Sequence, residues 1–486
     1  MIDQKIKLIT GSLLHDIGKV VYREGSDRRN HSVSGYDFLK EEGKIEDKEI
    51  LDCVRYHHFS EIKSAHLKED NLAYIVYLAD NIAAFADRRK KEDTEEKGFD
   101  LSVPLQSVFN VLNGNNQSFY YQPGDMDDQG KINYPASEKK PFSREFYMKI
   151  CQRMLDNFRG MNWSEEYLNS LLAVMEANLS YMPSSTSNEE LSDISLFDHV
   201  KLTAAISSCI YDYLNENHLS YKTELFDKKD FYDRNAFLLC SMDISGIQSF
   251  IYTISSKNAL KNLRARSFYL EIMMEHIIDL LLDRLQLSRA NLLYSGGGHC
   301  YLLLANTTET VIQIQKFQEE LKEWLLKQFQ TDLFVAFGYV QCTGNAFRNV
   351  PEGSYTELFR KMSKMLSLQK QHRYTAREII RLNNRKEQDY SRECKVCKKI
   401  GHVDEEGVCP LCRKIEKLSK NVLYADFFSV VLENPDERED AMPLPGGYCL
   451  VADDEKKLCR RMENDDYFVR AYSKNKLYTG KHIATK

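Results

Sequence analysis

The sequence predicts an α+β multidomain chain: an all-α N-terminal unit, then a ferredoxin-like β-α-β-β-α-β unit, then a four-cysteine zinc module. Three observations predict it. Apolar residues recur at helical spacing through residues 1–90, strand-like and helix-like runs alternate after Asn235, and four cysteines cluster as two CxxC pairs. At 486 residues the chain is too long for one hydrophobic core, so several domains are expected. Its content, 43% hydrophobic, 11% aromatic and 28% charged, is that of a folded globular protein and excludes the disordered and fibrous classes.

Residues 1–112 form the first unit, with helices broken at Glu24-Gly25-Ser26-Asp27 and Glu42-Gly43-Lys44. Residues 113–141 are polar, rich in Gly, Pro, Asn and Asp, and are expected as a linker or mobile loop. Residues 142–225 return to helical periodicity in FYMKICQRMLDNF, EEYLNSLLAVMEANL and LFDHVKLTAAISSCIYDYL. Residues 226–390 then read as strand AFLLCSMDI, helix SFYLEIMMEHIIDLLLDRL, strand NLLYS, turn GGGH, strand CYLLLA, helix ETVIQIQKFQEELKEWLLKQF and strand LFVAFGYV. The cysteine module occupies 391–420. Residues 421–486, with strand-like GGYCLVAD and helix-like EKKLCRRMEN, are expected to begin a second, incomplete unit of the same kind.

The opening MIDQKIKLIT lacks the apolar stretch of a signal peptide and no run of about 18 apolar residues occurs, so a cytoplasmic protein with no membrane contact is expected. Twelve cysteines, four of them tightly clustered, fit reduced thiols plus one metal site better than disulfides. The net charge of -6 excludes wholesale coating by nucleic acid and leaves only local contact. Three basic clusters are assigned to solvated faces: Arg88, Arg89, Lys90 and Lys91; Lys257, Lys261, Arg264 and Arg266; Lys398, Lys399, Arg413, Lys414 and Lys417.

The first chemistry-bearing group is LLHDIGK. Ile9, Leu13, Asp16 and Ile17 share a helix face, which points Asp16 inward and puts His15 beside it. His31 in HSVSG, the pair His57-His58 and Asp80 in YLADNIAAFADR follow. Asp80 sits on the apolar stripe of Leu72, Ile75, Val76, Ala79, Ala83 and Ala84, where an unpaired carboxylate costs several kcal/mol and a metal ion is the cheapest remedy. Imidazole and carboxylate donors suit Mn, Fe, Co, Ni, Zn or Mg, which polarise water and clamp a phosphate. Lys19, one turn on, is placed either to steady a phosphate oxygen or simply in solvent.

LLHDIGK, HSVSG, the His pair and the Ala-Asp together resemble the HD and HD-GYP phosphohydrolase superfamily. The resemblance implies a divalent metal (Mn, Co, Ni or Mg) held by His15, Asp16, His31, His57, His58 and Asp80, with His15, Asp16 and Lys19 catalytic. Superfamily members generally carry a ligand His well upstream. Here fourteen residues precede His15, none of them His, so either a donor comes from later in the chain, with Asp198 or His199 in SLFDHVK as the candidate beside a plain helix-start polar pair, or the site holds fewer metals.

The β-α-β-β-α-β unit has the order of polymerase and cyclase palms, where acids at the first strand end and at the hairpin hold metal-bound nucleotide. Asp243 in SMDISGIQSF matches the first position, but the hairpin Ser295-Gly296-Gly297-Gly298-His299 lacks paired acids. Asp243, Ser245, Gly246, Ser295, Gly296, Gly297, Gly298 and His299 are expected to bind nucleotide without catalysing its condensation. Cys394-x2-Cys397 and Cys409-x2-Cys412 supply four thiolates for a closed, structural zinc site.

An HD unit, a palm with DISGIQ, LRARSFYLE and SGGGH, a four-cysteine insertion and a closing YSKNKLYTGK are together similar to the polymerase-like large subunit of type III-A CRISPR-Cas effector (Csm) complexes. That resemblance implies an enzyme: a target-RNA-activated, single-strand-specific deoxyribonuclease in the HD domain, and ATP bound between two palms that convert it to cyclic oligoadenylates in the complete protein. It implies partnership with other Csm subunits, with CRISPR RNA and target RNA through the complex, and with single-stranded DNA as substrate. The GGDD motif of the second palm is missing, since Gly446-Gly447 and Asp453-Asp454 are separated by YCLVA, and the chain is expected to be truncated before that palm. The alternatives are a non-catalytic scaffold of such a ribonucleoprotein, and an HD-GYP-like cyclic-dinucleotide phosphodiesterase, disfavoured because GYP and GGDEF acids are absent.

Overall fold

The computed structural model describes residues 3–473 apart from 26, 28, 88, 90–96, 115, 125–132, 160–162, 165–166, 254–258, 385–391, 434–440 and 465–466. Arg88, Lys90, Lys91, Lys257 and nearly all of YSKNKLYTGK therefore lie outside the described residues, as do positions 1–2.

The N-terminal helices are α1 (Gln4–Leu14), α2 (Gly18–Glu24), α3 (His31–Asp37), α4 (Lys48–Arg55), α5 (Phe59–Ser64) and α6 (Ala73–Asp87). Their starts are set by short polar side chains. Asp3, Asn30 and Asp47 each accept from a backbone N–H two residues on, satisfying donors that the first helical turn leaves orphaned. Three more helices follow, α7 (Arg144–Phe158), α8 (Leu168–Leu179) and α9 (Leu196–Glu216). Leu13, Leu14, Ile17, Val20, Ile50 and Val54 share one core with Ile150, Met154, Met175 and Val200, so the later helices complete the first unit rather than merely joining it to the next. The expected linker is tied down in its described part, where Tyr120 bridges both Gln106 and Ala136.

Downstream come β1 (Phe237–Ser245), α10 (Ile247–Tyr252), α11 (Ala259–Arg284), β2 (Leu292–Gly296), β3 (His299–Ala305), α12 (Thr308–Phe329) and β4 (Phe334–Cys342). The strands form one antiparallel sheet in the order β2-β3-β1-β4. The alternation along β1 explains its nearly unbroken hydrophobic run: Phe237 and Leu239 face α6 and α9, while Leu238, Cys240 and Met242 face α11 and α12. The all-α unit and the sheet thus share a core.

Helices α13 (Gly344–Phe347), α14 (Ser354–Gln371) and α15 (Ala376–Asn383) lead to the cysteine module and α16 (Pro410–Tyr424). Residues 427–473, expected to begin a second palm, hold β5 (Phe427–Leu432), β6 (Met442–Leu444), β7 (Tyr448–Asp453), α17 (Glu455–Asn464) and β8 (Phe468–Ser473), with strands ordered β6-β7-β5-β8. Phe428, Val430, Met442 and Leu450 of this sheet enter the same core as α11 and α16. Among the described residues no helix is long and apolar enough to cross a membrane.

Helix α11 is fastened to the second sheet by His276, fully buried, whose Nε2–H donates to the Pro445 carbonyl at 3.0 Å. Burial brings its pKa down to about 4 from an ordinary 6.5. A depressed imidazole costs no stability above pH 6.5; below it the unfolded chain gains a proton that the folded one refuses, and the cost grows until about pH 4. The difference amounts to at most about 3 kcal/mol. His276→Gln, which keeps an N–H for Pro445, is therefore expected to lose less melting temperature than the unsubstituted chain between pH 6.5 and pH 4; parallel losses would refute this account of His276.

Candidate metal centre

Helices α1, α2, α3, α4, α6 and α9 aim seven side chains at one point. His15 and Asp16 sit at the break between α1 and α2, His31 opens α3, His57 and His58 follow α4, Asp80 lies on α6 and His199 on α9. The donors fall into two groups, His31, His57 and His58 in one and His15, Asp80 and His199 in the other, and within each group the ligand atoms lie within 4.8 Å of one another. Asp16 stands between them. Its Oδ1 is 3.3 Å from His31 Nε2 and 3.7 Å from His57 Nε2; its Oδ2 is 3.5 Å from His15 Nε2 and 3.3 Å from His199 Nε2. Asp80 Oδ1 lies 3.1 Å from His199 Nε2 and 3.7 Å from His15 Nε2, and its Oδ2 lies 3.9 Å from His58 Nδ1.

The imidazoles are oriented from behind. His15 Nδ1 lies 2.7 Å from the Ser12 carbonyl and His57 Nδ1 lies 2.7 Å from the Val54 carbonyl, so each Nδ1 carries the proton and each Nε2 presents a lone pair to the centre. Burial acts to raise the Asp16 carboxyl, yet Lys19, His15, His199 and His31 together hold it well below the usual carboxylate range. Asp80 is held down likewise against its burial, by His15 and His199. Burial first, then His58 and His15, drives His57 well below its ordinary value, and burial with His31 brings His58 down to about 4. Two buried carboxylates thus stand among the five imidazoles, with one ammonium, Lys19 Nζ, at 2.5 Å from Asp16 Oδ2.

Such a set fits a divalent cation. His15 Nε2 and Asp16 Oδ1 are buried with no hydrogen-bond partner, which costs about 1–3 kcal/mol each unless something else fills the gap. Of the two later donors left open by the sequence, the structure selects His199. Asp198 is used at the helix start, where Ser195 Oγ donates to its Oδ2 at 2.7 Å and accepts from its N–H at 3.0 Å. The Ser-x-x-Asp spacing of a capping box is the signal that could have assigned Asp198 to the cap and left His199 for the centre.

Access is from one side. His31, His58 and Lys19 line a cleft of about 500 Å³ together with Tyr22, Arg29, Asn30, Phe99 and the loop Ser184–Ser187, whereas His15, His57 and His199 are sealed beneath. Helices α2 and α3 cross at Gly18, where an added Cβ would lie 1.8 Å from the His31 carbonyl oxygen. Gly18→Ala is expected to destabilise by about 1–3 kcal/mol. Because it pushes on His31, it should also weaken metal binding, read by urea melts and by metal titration of the same variant; unchanged metal affinity would show that His31 is not positioned by this crossing.

The expected nucleotide residues gather at the end of the first sheet. Asp243 and His299 are cross-strand partners, and Asp243 Oδ2 accepts from His299 Nδ1 at 3.2 Å and from Lys370 Nζ of α14 at 2.7 Å. Asp243 is thus ion-paired at the position where, in polymerase-like palms, the first acid holds a metal ion. Ser295 Oγ donates to Glu275 Oε1 at 2.6 Å. Gly297 and Gly298 both have positive φ, 62° and 80°, which makes the tight hairpin, and the space beside Gly297 is open. Gly246 is required twice over, by its φ of 95° and because a Cβ there would lie 1.8 Å from the Asp332 carbonyl oxygen, and Ser245 ends β1 beside it.

Cys394, Cys397, Cys409 and Cys412 converge with all Sγ atoms within 4.8 Å, and all twelve cysteines are free of disulfides. Lys398, at φ 62°, turns the first knuckle, and Cys409 caps α16 just ahead of Pro410. Two basic clusters turn out not to be simple solvated faces. Arg266 is buried and donates to Cys412 Sγ at 3.3 Å and to the Phe250 carbonyl at 2.6 Å; Lys399 pairs with Asp332 at 2.6 Å and Arg413 with Asp404 at 2.7 Å.

Comparison with known proteins agrees with this geometry. Residues 1–84 match the HD domain family, and residues 236–385 match the family described as Csm1 subunit domain B. A protein of Enterococcus italicus named CRISPR system single-strand-specific deoxyribonuclease Cas10/Csm1 (subtype III-A) is 41% identical over 498 residues, spanning 99% of this chain and 65% of that protein. One of the same name from Mycobacterium tuberculosis is 39% identical over 531 residues, spanning 99% of this chain and 64% of its own length. The chain thus spans slightly under two thirds of these relatives. A solved apo Csm1–Csm4 cassette superposes with TM-score 0.69 at 24% identity, covering 93% of this chain and 56% of that one. With near-complete coverage of its own length at this identity, an HD match at one end and a Csm1 domain match in the middle, the chain belongs to the Cas10/Csm1 family of subtype III-A CRISPR systems.

Proposed function

We propose that the buried centre is a two-ion phosphodiesterase site that cuts single-stranded DNA. The convergence of two donor triads on Asp16 carries this reading. His31, His57 and His58 would hold one divalent ion and His15, Asp80 and His199 the other, with Asp16 shared between them. Bound there, Mn, Co, Ni or Mg would supply Lewis acidity to the phosphate and to an attacking water near neutral pH. Lys19 donates toward the scissile phosphate at the floor of the cleft while keeping Asp16 ionised. Tyr22 and Phe99 in the cleft wall offer ring faces on which unpaired bases stack, a contact that duplex DNA cannot make. Cleavage of a single-stranded oligonucleotide and of its duplex by the purified chain, with each metal and with EDTA, tests the reading. Metal-dependent cutting of the single strand alone is expected; no cutting with any metal, even in the assembled ribonucleoprotein, would refute it in favour of a scaffold.

The strand order β2-β3-β1-β4, with α11 and α12 as its crossovers, supports a ferredoxin-like palm that binds ATP at its glycine hairpin, and the four thiolates support structural zinc. The family supports a cytoplasmic setting, other Csm subunits as protein partners, CRISPR and target RNA reached through the complex, and cyclic oligoadenylate synthesis as an activity of the longer protein.

A further inference from the structure

The end of the first sheet carries an ammonium where the palm comparison calls for a metal ion. Asp243 projects beside the hairpin, but its Oδ2 accepts from both Lys370 and His299, and binding a metal through that oxygen would break both contacts. The other nearby acid, Glu275, is likewise committed, to Ser295 and Arg289.

Lys370 comes from α14, 127 residues beyond Asp243 in sequence. It reaches the hairpin because α14 lies close on β4: a Cβ at Gly338 would stand 3.0 Å from Met362 Sδ and 3.4 Å from Leu366. His299 is backed by Tyr301, whose ring centroid is 4.7 Å away, and Tyr301 rests in turn on Phe359 of the same helix. An ammonium has three donor hydrogens, and Asp243 takes one. At the hairpin tip, two residues before His299, Gly297 has no side chain and open space, which lets a phosphate approach the backbone.

We propose that Lys370 is a phosphate-binding residue of the nucleotide site, held in place by Asp243, so that this sheet grips a nucleoside triphosphate with its own ammonium rather than through a metal carried by Asp243. The inference rests on the nucleotide reading above. It recasts Asp243 as a positioning residue.

Titration calorimetry of the purified chain with ATP, in EDTA and in Mg2+, separates the possibilities. The unsubstituted chain is expected to bind ATP in both buffers. Lys370→Met should weaken binding at least ten-fold in both, with Lys370→Arg restoring most of it, and Asp243→Asn should leave the ratio of affinities in the two buffers as it was. Lys370→Met binding like the parent, or Asp243→Asn erasing an Mg2+-dependent gain, would overturn the assignment while leaving the nucleotide reading intact. An unsubstituted chain that binds no ATP in either buffer would overturn both. Melting curves of each variant exclude unfolding as the cause.

Discussion

His199→Ala is expected to abolish metal-dependent cleavage of single-stranded DNA, by at least about 100-fold, while leaving the rest of the fold in place. Loss of a supporting contact behind a metal ligand already costs about 10–100-fold, and His199 offers its Nε2 directly to Asp16 and Asp80. The fold should survive because Leu196, Val200 and Ala204 hold α9 in the core and Ser195 caps it independently of His199. His199→Ala cutting at the parental rate, in a sample shown to contain bound metal, would remove α9 from the centre. Asp198→Asn is the matched control: it touches the cap, so a small loss of stability with cleavage preserved is expected.

Cys409→Ser is expected to release the module's metal and cause the largest loss of stability among single substitutions in this chain. Structural zinc binding is worth about 10–16 kcal/mol in zinc-finger peptides, and in a small module that energy is folding energy. Here the hydrophobic support is thin: Cys394, Val403 and Cys412 are the buried residues of the module's own cluster. The damage should spread, because Arg266 ties Cys412 to the carbonyl of Phe250 in α10, directly after Ser245 and Gly246. Zinc content by mass spectrometry together with the melting temperature checks the prediction. A protein that keeps its zinc, or melts unchanged, would contradict the structural role.

The ease of reading these sites from sequence follows from how local their signals are. His15-Asp16, His31, His57-His58 and Asp80 lie within the first 80 residues, on or just beside helices, and their motifs together carried the resemblance that groups them. His199 comes from a helix 119 positions past Asp80, and no periodicity reports which helices will pack; only the Ser195 cap could have favoured it over Asp198. Strands β1 to β4 were legible because each is a short apolar run bounded by turns. The Asp243–Lys370 pair was not, since a carboxylate looks the same in sequence whether it faces a metal or a lysine brought in by packing. Sheet β5 to β8 was half visible: the Tyr448–Asp453 strand and α17 showed their patterns, whereas β6, three residues long, is too short to carry one.

The seven side chains are proposed to form a two-ion site. Anomalous diffraction from crystals of the chain soaked in Mn2+ tests it most directly. The account predicts two peaks, one among His31, His57 and His58 and one among His15, Asp80 and His199, with Asp16 between them, and loss of both in Asp16→Ala. Manganese absent from both triads would contradict it.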